Sequence, residues 1–373
     1  MQAYYFVVNE TLAEFATAQA VRINRLTGTD IHIFIEGRCE GTRFKAFDSP
    51  SIHYHYDRLS KCLPPGVPVS KRFPGIVYLR IFAPRLLTHY RRLVYLDADV
   101  FFLRPDDAIW EVDLPHGVGA VHDMHMIGDL TPQRDKPKDE WLADLGIRSA
   151  RYFNTGVLVI DPLKWGEIDF ESRLSDFVSD YRQHIRFMDQ DFLNHHFQSR
   201  WTELSPRFNF QYQMLGRGYA LSLRPSLVHF NAPDRPWLNG WMSHHMAVGR
   251  TFRKLYESAL RDAGYSIEKY YRPRSPWFTF RRLPAHCRRI VSKLGVPRPF
   301  FPFAMRGWNN QREQIRRYFD EAFANGRFAD LSGGLRAEEL PLRHTGYRFK
   351  VDESDYWGQF LADQKGKPSS GRG

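Results

Sequence analysis

Cysteine is scarce: Cys39, Cys62 and Cys287 are the only three in 373 residues, and no CxxC spacing joins them. This excludes a disulfide scaffold and a cysteine-based zinc site, and it suits a reducing compartment. Long apolar runs are also missing. No stretch has the uninterrupted length that a bilayer-spanning helix requires. The opening Met1-Gln2-Ala3-Tyr4-Tyr5 lacks the basic region and apolar core of a signal peptide. A cytoplasmic location is therefore expected. No internal repeat is evident, and only 364–373 has the composition of a disordered tail. Acidic residues are absent from Lys269 to Arg312, which holds eleven Lys or Arg. Without that stretch, 42 basic residues face 42 acidic ones, so the net charge of +11 is a local excess and the remainder is balanced.

With 43% hydrophobic and 15% aromatic residues, the chain is globular and long enough for one large core or two smaller ones. Tyr4 to Asn9 is a first apolar run, and Glu10 to Arg25 carries a helical pattern through Leu12, Phe15, Ala16, Ala20 and Ile23. Ile31 to Ile35 reads as a second strand, so the chain opens βαβ, with Ser51 to Tyr56 a weaker third strand. Pro74 to Leu87 reads as a helix, Val118 to Asp123 as a strand and Met124 to Arg148 as a long loop. Gly156 to Ile160 is a buried strand, followed by helices over 172–185 and 187–197. A strand at 227–230, a helix at 250–263 and a surface helix at 311–325 complete the pattern. Strands and helices alternating at this spacing predict an α/β fold with a mostly parallel sheet covered on both faces.

The chain is organised around Leu93-Val94-Tyr95-Leu96-Asp97-Ala98-Asp99-Val100-Phe101-Phe102. Leu93 to Leu96 has the composition of a buried central strand. Asp97 and Asp99 fall at its carboxyl end, where open α/β sheets place their chemistry. Alternate carboxylates in a tight turn can converge on a hard cation that also accepts phosphate oxygens. Two other readings stand beside this one. The acids can cap a helix or solvate a loop. Alternatively, the stretch resembles the first motif of haloacid-dehalogenase-like phosphatases, with Asp97 as nucleophile.

Four further stretches resemble one family. Tyr152-Phe153-Asn154-Thr155-Gly156 with Trp165 is similar to the Phe-Asn-x-Gly segment of the retaining glycosyltransferases of family 8. Met188-Asp189-Gln190-Asp191-Phe192-Leu193-Asn194 is similar to its Asp-Gln-Asp-x-x-x-Asn segment. Leu227-Val228-His229-Phe230 with Arg235-Pro236-Trp237 is similar to its His-Phe…Lys-Pro-Trp segment, and Tyr78-x-Arg80 also fits. The resemblance covers roughly residues 3 to 260.

It implies a GT-A-like, Rossmann-like fold. Asp97, Asp99 and His229 would hold Mn²⁺, with Mg²⁺ the second choice for such a mixed nitrogen and oxygen set. A UDP-linked hexose, galactose or glucose, would contact Tyr78, Arg80, Asn154, Asp189, Val7, Asn9, Ala232 and Arg235. Gln190, Asp189 and Asp191 would be the catalytic residues, with Gln190 facing the sugar opposite the leaving group and Asp191 an available carboxylate of a kind more often found as a structural helix-start acid. A neutral amide is a poor nucleophile, so front-face attack is expected, with the departing phosphate accepting the acceptor's proton. The acceptor would be a hydroxyl of a glycan or lipid-linked glycan, as in lipopolysaccharide or polysaccharide synthesis. Asn9 replaces a common Asp, while Ala232 and Arg235 replace a common Gly and Lys. These departures leave open a catalytically silent module that binds a sugar nucleotide or a membrane.

The expected divisions are a transferase domain over 1–265, a basic aromatic segment over 266–325 and an extension over 326–373. In the basic segment, Leu283 to Leu294 reads as a short amphipathic helix. Trp277, Phe278, Phe280, Arg281, Arg282, Arg288 and Arg289 suit peripheral contact with an anionic membrane. No nucleic-acid partner is expected.

Overall fold

A computed structural model describes residues 1–37, 44–70, 74–127, 136–215, 219–231, 235–239, 246–270, 302–331 and Trp357. Ala232, the proposed membrane contacts from Trp277 to Arg289, and Gly128 and Asp129, the nearest candidate for the late acidic pair a phosphatase would need, lie outside the described residues. The strands are β1 (Gln2–Val8), β2 (Asp30–Ile35), β3 (Ile52–Tyr56), β4 (Arg92–Leu96), β5 (Val100–Phe102), β6 (Val118–His122), β7 (Phe153–Ile160), β8 (Thr202–Leu204), β9 (Phe210–Gln211) and β10 (Leu227–His229). Seven form one sheet in the order β3-β2-β1-β4-β7-β6-β8. Only β7 runs against its neighbours. The mixed α/β architecture with a mostly parallel sheet is thus present, and β4 is its middle strand.

Both faces of this sheet are covered, which is why its strands read as continuous apolar runs rather than alternating ones. Side chains still alternate between faces. Tyr4, Phe6 and Val8 of β1 and Val157 and Val159 of β7 enter one core with α1 (Glu10–Thr27). Tyr5, Val7, Leu158 and Ile160 enter the other, with Trp141 and Trp165. A second, three-stranded sheet, β5-β10-β9, has no strong signal in the sequence because its strands are only two or three residues long.

Several boundaries differ from expectation. The helix expected over 74–87 is an α turn, Ile76–Leu79, and a 3-10 turn, Ala83–Leu86. Pro84 lacks an amide hydrogen and its ring crowds the carbonyl four residues back, so the helix cannot run through. The loop expected over 124–148 contains a helix, Lys138–Asp144, which starts after Pro137 and carries Asp139 and Glu140 in its first turn. The surface helix expected over 311–325 instead spans Pro302–Ala324 and is packed. Ile315, Phe319 and Ala322, spaced along one face, enter the α1-side core together with Phe328 and Trp357.

Candidate active site

The sheet geometry explains why distant motifs meet. The backbone N–H of Asp97, just past β4, donates to Gly156 on antiparallel β7 at 2.8 Å. The chain then turns into β5, with Val100 N–H donating to the Asp97 carbonyl at 2.9 Å. Strand β10 lies antiparallel to β5 and pairs His229 with Val100. The second sheet thus brings the imidazole to the two aspartates across some 130 residues of chain. One potential ligand atom from each of Asp97, Asp99 and His229 lies within 4.8 Å of the others.

Each carboxylate has divided its oxygens. Asp97 Oδ1 accepts from the Tyr95 hydroxyl at 2.6 Å and lies 2.8 Å from the Arg80 guanidinium, while Oδ2 is 3.8 Å from His229 Nε2. Asp99 Oδ2 pairs with Arg235 at 2.7 Å, while Oδ1 is 3.2 Å from the same Nε2. Burial would push the Asp99 pKa up, but Arg235 and His229 outweigh it and hold it at about 2. Two carboxylate oxygens and one imidazole nitrogen therefore face one another, a donor set that fits a divalent cation such as Mn²⁺ or Mg²⁺. Gly156 makes this approach possible, since a Cβ there would lie 2.2 Å from His229 Cε1.

On the sugar side, Arg80 is the joining residue. Its guanidinium contacts Asp97, lies 3.3 Å from Asp189, donates to the Val77 and Thr155 carbonyls, and stacks over Tyr95. Burial favours loss of its charge, but Asp189 and Asp97 outweigh that and raise its pKa. Asp189 opens the helix Asp189–Phe197, immediately after Met188, whose positive φ of 51° marks a strained entry. Burial, with Arg80 only partly offsetting it, pushes the Asp189 carboxyl up to about 7. The Gln190 amide accepts from Thr155 N–H and donates to Asp123 at 2.8 Å.

Other expected contacts have different roles. Asp191 makes structural contacts. It is fully buried, with one oxygen bonded to the Tyr152 hydroxyl and the other to the backbone N–H groups of Arg186 and Phe187, so it anchors the helix. Asn154 is a linking group: its oxygen accepts from Gly156 N–H and Asn209, and its NH₂ reaches Asp123 and Gln190. Tyr78 is buried, its hydroxyl donating to Pro68 O and lying 3.5 Å from Met188 Sδ, where it supports the strained turn. Val7 lies near the end of β1 and Asn9 just past it, at the same end of the sheet as Asp97 because β1 and β4 are parallel, and Asn9 caps α1 by accepting from Leu12 N–H at 3.2 Å.

Two residues that sequence reasoning missed complete the site. Asp123 follows β6 and binds both Gln190 and Asn154. Asn209 precedes β9 and bridges Asn154 to His229. The only available signal for either was a short polar residue directly flanking a strand.

The glycosyl transferase family 8 model matches residues 43–240. General stress protein A of Bacillus subtilis is 29% identical over 45% of this chain and 61% of its own length. Glycosyltransferase GlyF of Streptococcus pneumoniae is 28% identical over 43% of this chain and 37% of its own. The chain thus spans less than two thirds of the length of each of these relatives. Among solved structures, the galactosyltransferase LgtC in complex with donor and acceptor sugar analogues covers 69% of this chain and 96% of its own. Its TM-score is 0.54 at 20% identity, a likeness of GT-A fold. A family model that spans more than half the chain, on a GT-A framework with the motifs gathered at one sheet end, shows that this chain belongs to glycosyl transferase family 8.

Proposed function

We propose that the chain transfers a hexose, galactose or glucose, from a UDP-linked donor to a hydroxyl of a glycan or lipid-linked acceptor, with divalent metal and with retention. The observation that carries this reading is the convergence of Asp97, Asp99 and His229, with Arg235 at its rim and Asp189 and Gln190 across β7. When bound, Mn²⁺ or Mg²⁺ would supply positive charge against the diphosphate leaving group. Arg235 adds a guanidinium suited to phosphate oxygens, and Arg80 holds Asp97 and Asp189 in register. Asp189, whose carboxyl pKa is pushed up by burial, can donate to or accept from a sugar hydroxyl. Gln190, held between Thr155 and Asp123, presents a fixed dipole to an oxocarbenium-like state. The acceptor oxygen bonds to the anomeric carbon as the carbon–phosphate-oxygen bond breaks, and its proton passes to the departing phosphate.

A panel of nucleotide sugars with and without Mn²⁺ tests this. Chelation is expected to abolish turnover, and NMR should show an α-linked product from an α-linked donor. A β-linked product would overturn the mechanism, and donor binding without turnover would favour the silent module. The phosphatase alternative is not favoured: Asp97 Oδ1 is held by Tyr95 and Arg80, and the family assignment leaves that reading without support.

The basic segment 266–325 is proposed to attach the protein peripherally to the cytoplasmic face of an anionic membrane, at about 1 kcal/mol per cation near the surface. Composition supports this. No helix among the described residues is long and apolar enough to cross a membrane. Co-sedimentation with anionic but not neutral vesicles, lost at high salt, is the expected result.

A further inference from the structure

The polar groups between His229 and Gln190 form one chain, and the direction of its hydrogen bonds can be worked out from groups that have no choice. A backbone N–H can only donate. Thr155 N–H points at one atom of the Gln190 amide at 3.2 Å, so that atom is the oxygen, and the NH₂ faces the Asp123 carboxylate. Gly156 N–H points at one atom of the Asn154 amide at 3.0 Å, so that atom is also an oxygen, and the Asn154 NH₂ faces Asp123 and Gln190. Asn209 lies 2.9 Å from the Asn154 oxygen and must offer it a donor, its NH₂. The Asn209 oxygen is then left facing His229 Nδ1 at 3.0 Å. An acceptor at that distance requires a proton on Nδ1. The lone pair of a neutral ring is then on Nε2, the nitrogen that faces Asp97 and Asp99.

We propose that Asn209 is a positioning residue that sets the tautomer and orientation of His229, and that the chain Asp123–Gln190–Asn154–Asn209 ties the metal-facing imidazole to the sugar-facing amide. The inference rests on the metal-dependent reading above and extends it to a residue outside the recognised motifs. Every member of the chain is buried, with Asn209 fully so, and the oxygen and nitrogen of the Asn209 amide are both spent within it. A ligating imidazole whose other nitrogen is held by a hydrogen bond binds metal more tightly, and loss of such a partner typically weakens affinity 10- to 100-fold. Gln190 in turn has no freedom to rotate unless Asn154 and Asp123 let go.

The test uses the full chain in three forms: wild type, Asn209→Leu and Asn209→Asp. Long-range proton–nitrogen NMR at pH 8, with the His229 signals assigned through His229→Gln, reads the tautomer without metal. Wild type is expected to carry the proton on Nδ1, and Asn209→Leu to move it to Nε2. Calorimetric Mn²⁺ titration should show about 10- to 100-fold weaker binding in Asn209→Leu. Asn209→Asp keeps an acceptor for Nδ1 but removes the donor to Asn154. It should therefore bind Mn²⁺ within a few-fold of wild type yet lose kcat at unchanged donor KM.

Wild-type tautomer and affinity in Asn209→Leu would overturn the proposal. If that variant does not fold, Asn209→Asp decides the matter: affinity lost tenfold or more would overturn it. A wild-type protein with Nδ1 protonated that binds no Mn²⁺ would instead overturn the metal-dependent reading and leave the tautomer assignment standing.

Discussion

Gly156 shows how much the site depends on single atoms. Its motif position was legible, but the reason for a glycine there was not. It lies in a strand, where glycine is disfavoured, and no turn requires it. The neighbour that requires it, His229, arrives from 73 positions away on another sheet. An alanine Cβ would meet the imidazole at 2.2 Å, against an ordinary contact of 3.4 Å or more, so the ring must move by about an ångström. Displacement of that order costs roughly 10²-fold in reactions that depend on alignment. Gly156→Ala is expected to weaken Mn²⁺ binding at least tenfold by calorimetric titration, while far-UV circular dichroism stays unchanged. Wild-type affinity in this variant would show that His229 is not confined by β7. Arg80 gives a second residue-scale prediction. Its planar fork contacts two acids and two carbonyls, and the single ammonium of lysine cannot reproduce that set. Arg80→Lys should lower both Tm and kcat/KM, with the loss in Tm showing that the carboxylates of Asp97 and Asp189 depend on this partner.

At the scale of elements, legibility followed length and period. The strands β1, β4 and β7 and the helix α1 declared themselves because long apolar runs and 3.6-residue spacing survive tertiary context. Strands β8, β9 and β10 have three residues or fewer. Of these only β10 was legible, and through the motif around His229 rather than through any period. The helix Pro302–Ala324 was legible only over 311–325 and as a surface helix, since besides its apolar face it meets the body through a buried acid that no pattern announces. Glu203 in β8 is 2% exposed; it accepts from the Tyr318 hydroxyl at 2.8 Å and lies 3.2 Å from Arg151 and 3.6 Å from Arg327. Asp330, just beyond the helix, likewise accepts from Ser205 and pairs with Arg207. Helix and body are therefore held by polar groups that would be costly to leave unpaired. Tyr318→Phe keeps the ring stacked on His122 and removes only the hydroxyl. It is expected to destabilise the protein by about 1–3 kcal/mol in urea unfolding. A change below about 0.5 kcal/mol would mean that the helix rests on the body without depending on this bond.

For the whole molecule, burying so many polar groups around one sheet makes stability depend on pH, and the sign can be worked out. His32 and His122 are buried and His196 is half-buried, and all three are held neutral. Burial is the first cause for each, reinforced for His32 by His53, His55 and His89 and for His196 by Arg173 and Arg200, while Glu203 and Asp123 only partly oppose it at His122. Their pKa values fall to about 3, 4 and 4. The unfolded chain takes up these protons near the ordinary histidine value of about 6.5 and the folded chain does not. Stability is therefore complete above that value and declines as pH falls, by up to about 1.4 kcal/mol per pH unit for each group between its unfolded and folded pKa. Asp189 and Asp191, raised to about 7 and 6, act in the opposite sense and gain stability over part of the same range. A bare pH profile mixes the two, so a difference profile is needed. His32 is best suited because its hydrogen-bond chain to His55, Tyr90 and Asp30 pins edge strand β3 and includes none of the site residues. Urea midpoints of wild type and His32→Gln should converge as pH drops from 7.5 to 5, because the substituted chain lacks one proton-linked loss. Parallel midpoints would show that protons reach His32 in the folded protein, and that the edge of the sheet opens to water.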